Sequence, residues 1–121
     1  AALTPKFELI SQISEKLDLI GYYVFTTDKS VTDQDATTRM FAPRYAIEEE
    51  SATGMAAGPL ACVLHDLLGL KKDTYQIEQG QFMHPASPSL ITVELVVKNN
   101  KIQSLIAGGF GKVSKSLNID Y

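Results

Sequence analysis

One stretch, residues 39–68 (RMFAPRYAIEEESATGMAAGPLACVLHDLL), limits the folds open to this chain more than any other. It reads as a strand, then a tight acidic loop, then an apolar helix beginning near residues 51–53. Ser51 and Thr53 carry hydroxyls of the kind that cap a helix N-terminus. Gly54, Ala56, Ala57 and Gly58 leave the first turns almost bare of side chain. A helix start has unpaired backbone N–H groups at the positive end of its dipole. With no bulky groups in the way, those N–H groups are open to a carboxylate or phosphate. Glu48, Glu49 and Glu50 stand immediately before it. An ionisable acid beside an anion-binding helix start points to acid/base chemistry on a small anionic substrate.

The rest of the chain supplies a scaffold for that stretch. Phe7, Ile10, Ile13 and Leu17 recur at helical spacing, with Thr4 placed to cap, Pro5 at the first helical position and Gly21 at the end. Strands are expected at 22–27 and 36–42, separated by a polar turn at 28–34, and then at 74–79, 89–97, 101–107 and 110–114. In the fourth of these Ile91, Val93, Leu95 and Val97 face one way and Thr92 and Glu94 the other. Asn99 and Asn100 form a two-residue hairpin signal. In the central helix Met55, Leu60, Ala61, Val63, Leu64, Leu67 and Leu68 place apolar groups all round, which predicts burial on every side. Pro59 is an internal defect of that helix, expected to leave the Met55 carbonyl unpaired and to kink it, and Gly69 closes it. The fold expected is α+β: a curved, mostly antiparallel sheet wrapped around a central buried helix, with one outer helix.

Bulk properties exclude several classes of function. The 121 residues make one continuous domain, without repeats or a linker. A net charge of −3 offers no basic face for nucleic acid. No apolar run approaches a membrane span, and no charged-then-apolar leader opens the chain. The lone Cys62 leaves no internal disulfide and suits a reducing cytoplasm. No Cys, His and carboxylate spacing matches a metal site, and no glycine-rich nucleotide loop follows a strand. Neither metal nor cofactor is expected.

Residues 39–60 also carry a resemblance. Arg39, Phe41, Pro43, Ile47, Glu49, Ala52, Thr53, Gly54, Ala56, Ala57, Gly58 and Leu60 fit the pattern R-x-F-x-P-x-x-G-I-x-E-D-x-A-T-G-S-A-A-G-x-L of the phenazine-biosynthesis (PhzF-like) isomerases, relatives of diaminopimelate epimerase. Gln79 and Gly80, followed by Met83 and Pro85, resemble the family's Q-G-x-x-M-x-R-P-S. Gly108 and Gly109 resemble its closing V-G-G strand. The resemblance implies a diaminopimelate epimerase-like half-domain: two such halves related by pseudo-twofold symmetry, with the active site in the cleft between them. This chain resembles the C-terminal half. The absence of an initiator Met, and a start at Leu3, Thr4 and Pro5 like the family's crossover, suggest a fragment of a longer protein.

The resemblance also assigns candidates. Glu50 stands where the family has a site aspartate, which makes it the catalytic candidate. The bland alternative is a solvated acid favoured by the helix dipole. Thr53, Gly54 and Met55 are the substrate-binding candidates, through the Gly54 and Met55 amides and the Thr53 hydroxyl. The alternative is an N-cap with a tight packing contact at Gly54. Glu49 and Arg39 are candidate supports; Glu49, matching the family's glutamate, either braces the loop or, as the bland alternative, is a polar partner for Arg39 or Arg44. Ala46, Glu50, Ser51 and Met55 depart from the family's Gly, Asp, Pro and Ser. Cys62 reads as a buried structural thiol, away from any dipole that would activate it. His65 reads as a partly exposed residue whose neighbour Asp66 points elsewhere. His84 takes the place of the family's Arg and suits a turn beside Pro85.

Two functions follow. One is the C-terminal domain of a PhzF-like isomerase or epimerase, moving a proton on a small carboxylic acid without a cofactor in a site shared with an N-terminal half. The other is a non-catalytic half that binds small anions or pairs with a second copy of itself, burying the cleft face in an isologous dimer.

Overall fold

The computed structural model describes residues 3–113 and 115–119. Its architecture is α+β, a six-stranded mixed sheet with two helices. The elements in chain order are α1 (Phe7–Leu17), β1 (Tyr22–Thr26), β2 (Ala36–Ala42), a 3₁₀ turn (Pro43–Tyr45), β3 (Ile47–Glu50), α2 (Gly54–Asp66), β4 (Thr74–Gln79), β5 (Ser89–Lys98) and β6 (Lys101–Gly109). Strands order as β1-β2-β4-β5-β6, and β3 adds to β2. All pairs are antiparallel except β2 with β4.

The register of β2 positions everything that follows. One edge is taken by β1 along its length. The other edge is shared end to end. The parallel β4 covers Ala36–Thr38 and finishes with Gln79 opposite Thr38. The antiparallel β3 comes down the same edge and finishes with Glu50 opposite Met40. Two strands running towards each other therefore bring their last residues together, and α2 departs from that junction.

The core lies between α2 and one face of the sheet, where Leu60, Ala61 and Leu64 pack with Tyr75, Ile77, Ile91, Val93 and Leu95. The alternation read along β5 holds: Ile91, Val93 and Leu95 are buried and Val97 partly so. Two glycines are demanded by geometry, because a Cβ on either would run into backbone. On Gly21 it would meet the Phe41 carbonyl oxygen. Gly80 has φ +83, and a Cβ there would collide with the Ser87 carbonyl. The hairpin at Asn99 and Asn100 forms with φ 50 and 60, as the dipeptide predicts.

Several expectations are corrected. The loop read at residues 48–50 is instead the end of strand β3, because the 3₁₀ turn and Ala46 at φ 61 fold the chain back onto β2. The strand expected at 110–114 does not form over 110–113, and Ser114 lies outside the described residues. Pairing stops at Gly109 opposite Ile91, close to Pro88, which has no N–H to continue a ladder. Helix α1 starts at Phe7, not at Pro5, since the Arg39 guanidinium bonds the Leu3 carbonyl at 2.7 Å and holds that segment along the sheet. It ends at Asp18 in the left-handed region, before Gly21.

Helix α2 is not buried all round. Its sheet-facing side is covered, while Met55 in its first turn is 84% exposed and Leu67, just past its end, 77%. The sheet packs on that one side of the helix, leaving an apolar flank open. Pro59 sits on the open flank without ending the helix.

Candidate functional site

The junction of β3, β4 and α2 opens into a groove of about 590 Å³. Its wall is mostly apolar, with Tyr23 and Met40 on the sheet side, Tyr45 and Ile47 on the 3₁₀-turn side, and residues 52–56 at the helix start. Tyr23, Met40 and Glu50 stand in register across β1, β2 and β3. Strand alternation therefore puts the Glu50 carboxylate on the groove side and Glu49 on the opposite side.

Glu50 is half-buried, and its Oε2 accepts a hydrogen bond from the Thr53 hydroxyl at 2.5 Å. Thr53 thus does not cap α2 with its side chain, as its place before the helix suggested. The Thr53 carbonyl closes the first turn, taking the amides of Ala56 and Ala57 at 3.1 and 3.0 Å. Among the described residues, the Gly54 and Met55 amides have no acceptor. Nothing lies within 4 Å of a Cβ built on Gly54, so packing does not require glycine there. The expectation of a tight packing contact at Gly54 is overturned. What the missing side chain leaves is clear access to the helix start.

The supports behave differently from the acid. Arg39 and Glu49 form a two-point ion pair, Nε to Oε1 and Nη2 to Oε2, each 2.8 Å. Both side chains are largely shielded, and the guanidinium also covers the Phe41 ring at 4.9 Å. The Glu49 hydrogen bonds hold the Arg39 guanidinium above its ordinary pKa despite partial burial. Neither residue lines the groove. Their pairing braces β3 from behind.

Two residues complete the site that no motif role had assigned. Gln79 is fully buried at the end of β4. Its Nε2 donates to the Glu50 carbonyl at 2.7 Å and to Thr53 Oγ1 at 2.9 Å. Its Oε1 accepts from the Thr53 amide and from the Tyr23 hydroxyl, both at 3.1 Å. Tyr23 in turn lies 3.1 Å from the Thr38 hydroxyl. Burial raises the Tyr23 pKa, the Thr38 contact opposes this, and the nearby Glu50 charge adds to the rise. Gln79 could have been found from the Q-G dipeptide that the family resemblance includes. Nothing in the sequence singles out Tyr23.

Other candidates fall outside the groove. His65 is only 4% exposed, against expectation, and its Nδ1 lies 2.7 Å from Asp66 Oδ1. The pair sits at the far end of α2 from Gly54. Cys62 is half-buried, and its thiol pKa is raised by burial and by the Asp66 charge, which makes it a poor nucleophile. His84 lies in the turn after Gly80, joined to Pro85 by a cis peptide bond. Among the described residues no group of His, Cys, Asp and Glu is arranged to hold a metal ion. No helix among them is long and apolar enough to cross a membrane.

The groove thus sets a carboxylate beside a bare helix start on a mixed α+β scaffold. Comparison with known families narrows this further. The family described as phenazine biosynthesis-like protein matches residues 1–114, and the chain belongs to that family. It is 32% identical over 117 residues to an uncharacterized isomerase of Clostridium acetobutylicum, an alignment covering 94% of this chain and 39% of that protein. It is 26% identical over 110 residues to the uncharacterized isomerase YddE of Salmonella typhimurium, and equally to YddE of Escherichia coli K12. Those matches take in 89% of this chain and 36% of each relative. The chain therefore spans less than two-fifths of the length of these relatives.

Proposed function

We propose that this chain is the C-terminal, diaminopimelate epimerase-like half of a PhzF-like isomerase or epimerase, working on a small carboxylic acid in a cytoplasmic setting without a cofactor. The observation that carries this reading is the juxtaposition of the Glu50 carboxylate with the open amides of Gly54 and Met55 in one groove. The amides hold the substrate carboxylate at the positive end of α2. Negative charge that develops on that carboxylate when an adjacent C–H loses its proton is stabilised by the same fixed donors. Glu50 takes or returns the proton, since Thr53 engages Oε2 and leaves Oε1 for the groove. A partner acid/base comes from the N-terminal half, which closes the groove on the flank where Met55 is exposed. The family membership and the isomerase names of its relatives support the reaction class.

The test is solvent deuterium uptake, followed by NMR, into a panel of small carboxylic acids incubated with the intact protein and with its Glu50→Gln variant. Uptake by the wild type and its loss in the variant supports the reading. No uptake from any acid, with binding retained, favours the small-anion or self-associating module instead.

A further inference from the structure

We infer that Gln79 is a positioning residue that sets the direction of a hydrogen-bond relay ending on Glu50, and so fixes which oxygen of that carboxylate is left to the groove. The inference rests on the reading of Glu50 as the acid/base.

The orientation of the Gln79 amide is fixed by two partners that cannot exchange roles. A backbone N–H only donates, so the Thr53 amide must face Oε1. A backbone carbonyl only accepts, so the Glu50 carbonyl must face Nε2. That leaves the second N–H of Nε2 directed at Thr53 Oγ1, 2.9 Å away. A hydroxyl with an N–H already pointing at its oxygen turns its own single proton elsewhere. Among the described residues the one acceptor in place is Glu50 Oε2, at 2.5 Å. The relay therefore runs from Gln79 to Thr53 to Glu50 and cannot reverse while Gln79 is held.

All four hydrogen-bonding positions of the Gln79 amide are filled, the fourth by the Tyr23 hydroxyl on Oε1. With no exposed surface, it has no water to turn towards. With its proton committed to Oε2, the Thr53 hydroxyl pins one carboxylate oxygen and leaves Oε1 to the groove. If Thr53 were free to rotate, that hold on the carboxylate would be lost. Gln79 touches neither the groove nor a substrate; it acts through Thr53.

The experiment is NMR of the Thr53 hydroxyl in the intact protein with the Glu50 side-chain carboxyl labelled with carbon-13. Held between Gln79 and Glu50, the hydroxyl proton is expected as a slowly exchanging resonance that couples across the hydrogen bond to the Glu50 carboxyl carbon. In Gln79→Met that coupling should be lost, while Thr53→Ser, which keeps the hydroxyl, should retain it. Gln79→Leu gives the same loss should Gln79→Met fail to fold. A coupling that survives in the Gln79 variants, or none in the wild type, would overturn the inference. The coupling reads the hydrogen bond itself. A wild type without deuterium uptake would defeat the isomerase reading while the relay stood or fell on this coupling.

Discussion

Arg39 and Glu49 pair through two parallel hydrogen bonds of 2.8 Å on the side of β3 opposite Glu50. Adjacent glutamates on one short strand thereby serve different ends. One is tied to the scaffold. The other faces the groove.

The first prediction tests that division. Glu49→Ala should destabilise the protein by roughly 1.5–3 kcal/mol, since it leaves a shielded guanidinium without its charged acceptor. Urea unfolding monitored by circular dichroism measures this. Deuterium uptake per folded molecule should be close to wild type, because Glu49 lies outside the groove.

Glu50→Gln should show the reverse. It keeps the volume of the side chain and a carbonyl oxygen for the Thr53 hydroxyl, so the unfolding midpoint should change little. Proton exchange on substrate by the intact protein should fall by about 100-fold or more, the usual scale for losing a positioned acid/base. A variant with full activity would remove Glu50 from the mechanism.

How much of this could be read from the sequence depended on how local the cause was. The β5 alternation at Ile91, Val93 and Leu95, the Asn99 and Asn100 turn and the strand over Ala36–Ala42 follow from neighbouring residues alone, and all were legible. Strand β3 was not, because three successive glutamates hide a pairing created by the turn at Ala46. The composition of α2 suggested burial on all sides; only the sheet topology reveals that one flank is left uncovered. The candidate site divides along the same line. Glu50, Thr53 and Gly54 lie close together in the chain and were legible with their motif. Tyr23 and Gln79 are 56 residues apart and meet only through the register of β1, β2 and β4.

Ala46 carries a second consequence of that turn. Its φ of 61 lies in the left-handed region, where the family pattern has glycine and an L-residue with a Cβ is strained. Ala46→Gly should stabilise the protein by about 0.5–1 kcal/mol, the strain relieved being partly offset by the greater freedom of glycine in the unfolded chain. Chemical denaturation would show a higher midpoint at unchanged slope. A lower midpoint would mean that the Ala46 methyl makes a packing contact worth more than the strain.

The last prediction concerns acid stability. Asp35 is nearly buried at the head of β2. Its Oδ1 and Oδ2 take the Lys72 ammonium at 2.7 and 2.8 Å, and Oδ2 also takes the Gln76 amide at 2.9 Å. Burial pushes the carboxyl pKa up, but the bonds from Lys72 and Gln76 outweigh it, and the net shift is below the ordinary 3.8. The unfolded chain therefore takes up this proton at a higher pH than the folded one does. The stability contributed by Asp35 is complete above about pH 4 and is lost as pH falls through the lower folded value. Asp35→Asn should lower stability at pH 7 by about 1–2 kcal/mol, because the Lys72 bonds lose their charged acceptor. It should also flatten the dependence of stability on pH below 4. Denaturation curves at pH 7 and at pH 3 give both quantities. A variant that loses as much with acid as the wild type would place the acid sensitivity at another carboxylate.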